Sequence, residues 1–141
     1  MIQEGKTVAV TGACGYIGTK LLEKLEEETH LRKLVAFDLN PLPLPVHNIA
    51  FYRKNVSEPI EDELNEHDVT TLVHLAFNSR RGSTRREVAE IHDENLATLR
   101  SVMASCVIAR VAHQSHIHIS EPTRRYAISY ADFCLKKKRG G

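Results

Sequence analysis

Thr11-Gly12-Ala13-Cys14-Gly15-Tyr16-Ile17-Gly18 is the stretch whose reading decides the fold of this chain. In front of it, Thr7-Val8-Ala9-Val10 is a short apolar run of the kind that forms a buried strand. Behind it, Leu21, Leu22 and Leu25 recur at helical spacing, which predicts a helix over residues 17–28. A strand passing through three glycines into a helix is a backbone suited to a phosphate. The glycines permit a tight turn and close approach, and the helix start presents N–H groups at the positive end of its dipole. Such a turn can also exist without a ligand, so the neighbouring sequence has to carry the reading.

Leu34-Val35-Ala36-Phe37 predicts a second buried strand, over residues 33–37, and Asp38 ends it twenty residues past Gly18. An acid at that place accepts hydrogen bonds from an adenosine ribose, which favours NAD over NADP. Strand, glycine turn, helix, strand and acid stand in the order a dinucleotide site requires.

The glycine spacing here is Gly-x-x-Gly-x-x-Gly preceded by Thr11. This resembles the signature of the short-chain dehydrogenase/reductase superfamily. Tyr16-Ile17-Gly18 is similar to its extended branch, the NAD-dependent epimerases and dehydratases of nucleotide sugars. The resemblance implies a Rossmann-type doubly wound parallel sheet, with strand order 3-2-1-4-5 for the five strands it covers. Cofactor contacts are implied at Gly12, Cys14, Gly15, Tyr16, Ile17 and Gly18 in the turn, and at Asp38 and Leu39 after the second strand.

Length and composition agree with one such domain. A chain of 141 residues with 42% apolar content supports a single buried core, and a net charge of +1 gives no steering toward nucleic acid or membranes. No apolar run reaches transmembrane length, and residues 1–6 lack the apolar segment of a signal peptide, so a cytoplasmic location is expected. Cys14, Cys106 and Cys134 are odd in number and widely spaced, which suggests free thiols in a reducing compartment. Cys14 stands near a helix start and could be reactive, but a small residue filling a tight turn accounts for it better.

Beyond Asp38, Asn40-Pro41-Leu42-Pro43-Leu44-Pro45 has a proline at every second position, which forbids helix and reads as a rigid extended connection. Ile49-Ala50-Phe51-Tyr52 predicts the third strand. It leads to Asn55-Val56, where the family shows Asp-Val or Asp-Ile and its acid meets the adenine amino group. Asn55 retains an acceptor oxygen for that contact. Ser57 is expected to cap a short helix over residues 58–66, with Pro59 at its first position. Residues 71–76 predict the fourth strand. Its end, His74-Leu75-Ala76-Phe77, resembles the family's His-Leu-Ala-Ala and implies cofactor contacts at Leu75, Ala76 and Phe77. His74, inside an apolar strand, reads as a satisfied core residue rather than a catalyst.

The following loop carries Arg80, Arg81, Arg85 and Arg86, which could grip a nucleotide-sugar diphosphate or simply be solvated. A long helix is expected over residues 87–110. Within it, Asn95-Leu96-Ala97-Thr98-Leu99 resembles a family run whose asparagine, here Asn95, helps organise the site. The fifth strand is expected over residues 115–119. His116 and His118 would share one of its faces, but no third ligand at suitable spacing completes a metal site.

The family's catalytic machinery is a Tyr-x-x-x-Lys pair with a serine or threonine, the tyrosine serving as acid/base. The only literal match to that pair is Tyr16 with Lys20, inside the phosphate turn and its helix. Ser120, Thr123 and Tyr126 are the nearest substitutes for the remaining groups. The domain division expected is an incomplete NAD(P)-binding Rossmann domain over residues 1–120, then a tail over residues 121–141 with a basic end. The substrate domain is expected to be absent. The resulting expectation is NAD binding with little turnover from this chain alone. Two alternatives stand beside it: a non-catalytic dinucleotide-binding regulatory or partner subunit, joined to its partner through a free fifth-strand edge, and a truncated, non-functional product.

Overall fold

A computed structural model describes residues 5–116, apart from residues 29, 44, 79 and 81. Its strands are β1 (Lys6–Thr11), β2 (Leu31–Asp38), β3 (Ile49–Arg53), β4 (Thr71–His74) and β5 (His113–His116). Three helices, α1 (Tyr16–Glu26), α2 (Glu61–Glu66) and α3 (Arg85–Ile108), connect them. The sheet is wholly parallel, in the order β3-β2-β1-β4-β5. This is the doubly wound Rossmann-type arrangement that the sequence leads one to expect.

Alternation along the strands divides the core in two. Val8, Val10, Leu34 and Ala36 face α1 and pack with its Leu22 and with Ala13 of the turn. Ala9, Val35, Phe37 and Leu72 face the other way and meet Ile60, Leu64, Val102 and Cys106 of the α2–α3 layer. Because both faces are covered, the strands read as unbroken apolar runs rather than alternating ones. Phe37 is wholly buried, stacked on Tyr52 of β3 at 5.4 Å. Its burial alone contributes roughly 2–3 kcal/mol.

The short helix α2 begins later than expected. Ser57 does not cap it; the backbone N–H of Ser57 donates instead to Asn55 Oδ1 at 2.9 Å, closing a local turn with the Glu58 N–H to Asn55 O bond at 3.0 Å. The helix start is satisfied from across the core. Ser105 of α3 accepts the Ile60 N–H and donates its hydroxyl to Glu61 Oε1, both at 3.1 Å. Likewise β5 starts two residues earlier than expected, since the polar His113 and Gln114 take up the register of Thr71 and Leu72 in β4. The expected strand residues 117–119 lie outside the described residues, as do His118, Ser120, Thr123, Tyr126 and the basic tail.

The chain winds outward from β1 to β3, then returns to β4 on the other side of β1. Its crevice therefore opens at the carboxyl ends of β1 and β4, where Thr11 pairs with His74 and the glycine turn begins.

Candidate functional site

The three glycines of the turn hold their places for different reasons. Gly12 has φ +70°, a conformation that side chains rarely adopt, and a Cβ there would lie 2.6–2.7 Å from the Leu75 and Ala76 backbone. A Cβ on Gly18 would run into the Gly12 carbonyl and come within 2.8 Å of the Ala13 backbone. Gly15 is unlike both. Its φ is −76°, and among the described residues a Cβ there would meet only Gly12 O, at an ordinary 3.5 Å. Neither the backbone nor the packing requires glycine at position 15.

The turn is wired to β2. The N–H groups of Gly12 and Ala13 donate to Phe37 O at 2.9 and 3.2 Å, and that of Cys14 to Asp38 Oδ2 at 2.9 Å. The Gly15 N–H returns to Gly12 O at 3.2 Å, and the first bond within α1 runs from Thr19 N–H to Gly15 O. That leaves the N–H groups of Tyr16, Ile17 and Gly18 without partners among the described residues. Among the described residues no side chain caps α1, and its first turn holds no acid. By contrast, α3 is closed by Thr84, whose hydroxyl accepts from Glu87 N–H, while Glu87 reaches back to Ser83. The open start of α1 is an anion-binding geometry.

Thr11 ties the two walls of the crevice together. Its Oγ1 accepts N–H groups from Leu75 at 3.0 Å and Ala76 at 3.2 Å, and lies 2.6 Å from His74 Nδ1. The Leu75 N–H is shared between this oxygen and the Thr11 carbonyl, also at 3.0 Å, and the direction of the bond between the hydroxyl and the ring depends on the ring's tautomer. His74 is buried, as a core residue should be.

A cleft of about 490 Å³ lies over these elements. Of the residues singled out from the sequence, it gathers Gly12, Cys14, Gly15, Asp38, Leu39, Asn55, Val56, Leu75, Ala76, Phe77 and Asn95. Tyr16 and Ile17 stand beside it at the start of α1, their side chains turned to solvent, and Gly18 is buried against the turn. Lys54, Asn78, Glu94 and Thr98 also line the cleft and were missed in the sequence. Asn78 opens a loop, and Thr98 belongs to the run after Asn95, both of which the family resemblance had already brought to the site; Lys54 and Glu94 were signalled only by their neighbours Asn55 and Asn95. Lys54 is already engaged, donating to Pro59 O at 2.7 Å and Glu63 Oε2 at 2.9 Å.

Asp38 closes one end of the cleft. Besides Cys14 it accepts the Asn40 N–H at Oδ1, 2.9 Å, so each carboxylate oxygen is held by one backbone group and keeps a lone pair for a ligand. Asn95 closes the other end. Its side-chain amide makes a reciprocal pair with the Asn78 backbone, accepting from N–H at 2.6 Å and donating to the carbonyl at 3.0 Å. Asn78 in turn reaches Glu94 at 3.3 Å. The Asn95 position thus organises the β4–α3 connection by acting as a surrogate peptide.

Cys14 is not the reactive thiol its position allowed. Burial, helped by the charge of Asp38, pushes its pKa up to about 11, and its Sγ donates to Asn40 O at 3.1 Å. The protonated, hydrogen-bonded form is a weak nucleophile. Among the described residues no cluster of His, Cys, Asp or Glu could hold a metal ion, and no helix is long and apolar enough to cross a membrane.

The sheet order, the crevice at the switch point and the open helix start define a Rossmann-type domain. The family model for the NAD dependent epimerase/dehydratase family matches residues 8–120, and the chain belongs to that family. No curated protein matches the sequence. Among solved structures, MoeE5 in complex with UDP-glucuronic acid and NAD is 28% identical, with a TM-score of 0.67 over 79% of this chain and 36% of its own. A monomeric L-threonine 3-dehydrogenase from a metagenome, in its apo form, is 29% identical, with a TM-score of 0.61 over 79% and 35%. The Bordetella bronchiseptica enzyme WbmG in complex with NAD shares the fold at 18% identity, with a TM-score of 0.67 over 82% and 38%. The chain thus spans little more than a third of the length of these three structures.

Proposed function

We propose that this chain binds NAD(H) in the cleft between the ends of β1, β2 and β4. The observation that carries the reading is Gly15: the fold leaves room for a side chain there, and the glycine makes sense only if something else must approach that backbone. The unpartnered N–H groups of Tyr16 and Ile17 would meet the diphosphate, with Gly12, Cys14, Gly15 and Gly18 shaping the turn beneath it. Asp38 and Leu39 would take the adenosine ribose, and Asn55 and Val56 the adenine. Leu75, Ala76, Phe77 and Asn95 would border the nicotinamide end. NADP fits less well, because its 2′-phosphate would approach the Asp38 carboxylate.

Bound NAD would supply a hydride acceptor. This chain's own residues would hold it, orient it and, through Phe77, restrict the space around it. MoeE5 carries both UDP-glucuronic acid and NAD, which makes a nucleotide-sugar the substrate class to try first. Residues 1–120 would then form the cofactor domain and residues 121–141 a separate tail, with Ser120, Thr123 and Tyr126 as weak catalytic candidates. The chain alone would turn over little or nothing. Tyr16 and Lys20, the sole literal Tyr-x-x-x-Lys match, lie on the outside of α1, with the ammonium 5.9 Å from the ring centre and neither residue lining the cleft. That placement favours, as the second reading, a dinucleotide-binding subunit that works with another chain, through the β5 edge or elsewhere.

Calorimetric titration of the folded chain with NAD and NADP tests the binding. Saturable binding with NAD preferred is expected, and a folded chain that binds neither would sink the reading. Adding UDP-sugars while following NADH absorbance tests turnover.

A further inference from the structure

Every polar group of Asn78 is engaged. Its backbone pairs with the Asn95 amide, its Oδ1 accepts the Arg80 N–H at 2.9 Å, and its Nδ2 donates to Glu94 Oε2 at 3.3 Å. Glu94 and Asn95 stand four and three residues before Thr98 in α3, so the three share the helix face that lines the cleft. The bond from Asn78 occupies one oxygen of Glu94 and holds the exposed carboxylate at the cleft wall. Among the described residues Glu94 joins no ion pair.

Charge is distributed unevenly along this cleft. Among the described residues that line it, only Asp38, Lys54 and Glu94 are charged, and Lys54 is neutralised by Glu63 at 2.9 Å. The open start of α1 favours an anion. The Asn95 end, where Glu94 stands, favours a cation.

We propose that Glu94 makes the site selective for the oxidation state of the dinucleotide, its carboxylate favouring NAD+, whose nicotinamide ring is positively charged, over NADH, whose ring is neutral. The inference rests on the dinucleotide reading above, which sets the nicotinamide end beside Phe77 and Asn95, and goes beyond it. Addition of a hydride cancels the charge of the ring, so the reduced form gives up its attraction to Glu94. Asn78 is the positioning residue, since it fixes where that carboxylate lies. Because Glu94 is exposed, water and salt weaken the attraction, and the preference it confers is a few-fold one.

The test is a titration of the full chain and of Glu94→Gln, with NAD+ by calorimetry and with NADH by its fluorescence, each at low and high salt. Glutamine keeps the length of the side chain and an oxygen for Asn78, so the substitution removes the charge alone. Glu94→Gln should bind NAD+ about three- to fivefold more weakly and NADH within about 1.5-fold of the unaltered chain. Added salt should narrow the preference for NAD+ in the unaltered chain and leave the variant's ratio where it was. An unchanged ratio of the two affinities in Glu94→Gln, or an equal loss of both forms, would overturn the proposal. Binding of neither form by the unaltered chain would instead remove the underlying reading. Should the variant fail to fold, the unaltered chain decides the matter, because a ratio that does not respond to salt refutes the role of Glu94.

Discussion

Alanine substitution at the three glycines separates what the fold needs from what a ligand needs. At Gly18 the added Cβ would sit 2.8 Å from the Ala13 Cα and carbonyl carbon, and closer still to Gly12 O. Ordinary carbon contacts lie near ~3.5–4.0 Å, so the start of α1 must retreat by roughly 1 Å. That movement loosens Leu22 and Ala13 from Val10 and Ala36 in the α1-side core. Overpacking against rigid backbone of this kind costs about 2–3 kcal/mol. For a chain of this size it lowers the melting temperature by about 6–12 °C. At Gly15 the only contact among the described residues is at 3.5 Å and φ is negative, so the folded state loses almost nothing. The unfolded chain also becomes stiffer, and the net effect should lie within about 0.5 kcal/mol of zero or slightly favour folding. Differential scanning calorimetry measures both, and titration with NAD then reads function: Gly15→Ala should keep its melting temperature yet bind about tenfold or more weakly, because the methyl group occupies the diphosphate's approach. Equal loss of stability at the two positions would refute the geometric distinction. Undiminished binding by a folded Gly15→Ala would refute the reason given for that glycine.

Asn95→Ala should cost about 1–2 kcal/mol in denaturant unfolding, because it strips both partners from the Asn78 backbone, whereas a substitution at exposed Glu94 should cost far less. Ser105→Ala should cost about 1–3 kcal/mol, since Ser105 is buried and leaves the Ile60 N–H unpartnered. Equal stability of that variant would show that α2 is satisfied some other way. Cys14 supplies a pH test. Its thiol pKa is raised from 9.0 to about 11 in the folded chain, so the associated stability is present in full below pH 9.0 and declines toward pH 11, as the unfolded chain loses its proton first. Alkylation of Cys14, followed by peptide mass spectrometry, should accordingly stay slow at neutral pH and accelerate only as pH approaches 11. A half-maximal rate at the ordinary thiol pKa would contradict the assignment.

The sheet was legible because its signals are local. Runs such as Val8-Ala9-Val10 and Leu34-Val35-Ala36-Phe37 have one stable destination, between two layers of helix. The Gly-x-x-Gly-x-x-Gly spacing, with an acid after the second strand, fixed their order through the family resemblance. What escaped the sequence depends on partners far apart in the chain. Ser57 looked like a helix cap because serine commonly is one, but α2 begins only at Glu61, with Ile60 before it, and the hydroxyl that engages the start of that helix is Ser105 of α3. Lys54 and Glu94 enter the cleft through the crossover geometry of the sheet, which no local pattern encodes. The early start of β5 has the same cause: His113 and Gln114 are drawn into the ladder by β4 rather than by any strand preference of their own.

The wiring of the turn to β2 has a consequence for cooperativity. Gly12, Ala13 and Cys14 all give their N–H groups to Phe37 or Asp38, at the end of a strand that is itself the second from the sheet's edge. The cradle therefore cannot open by itself. The amide protons of Gly12, Ala13 and Cys14 should exchange with solvent only when β2 lets go, so this part of the cradle and the interior of the sheet belong to one unfolding unit. A ligand seated there would clamp that whole unit shut, and slow exchange would spread outward from the glycines to strands it never touches.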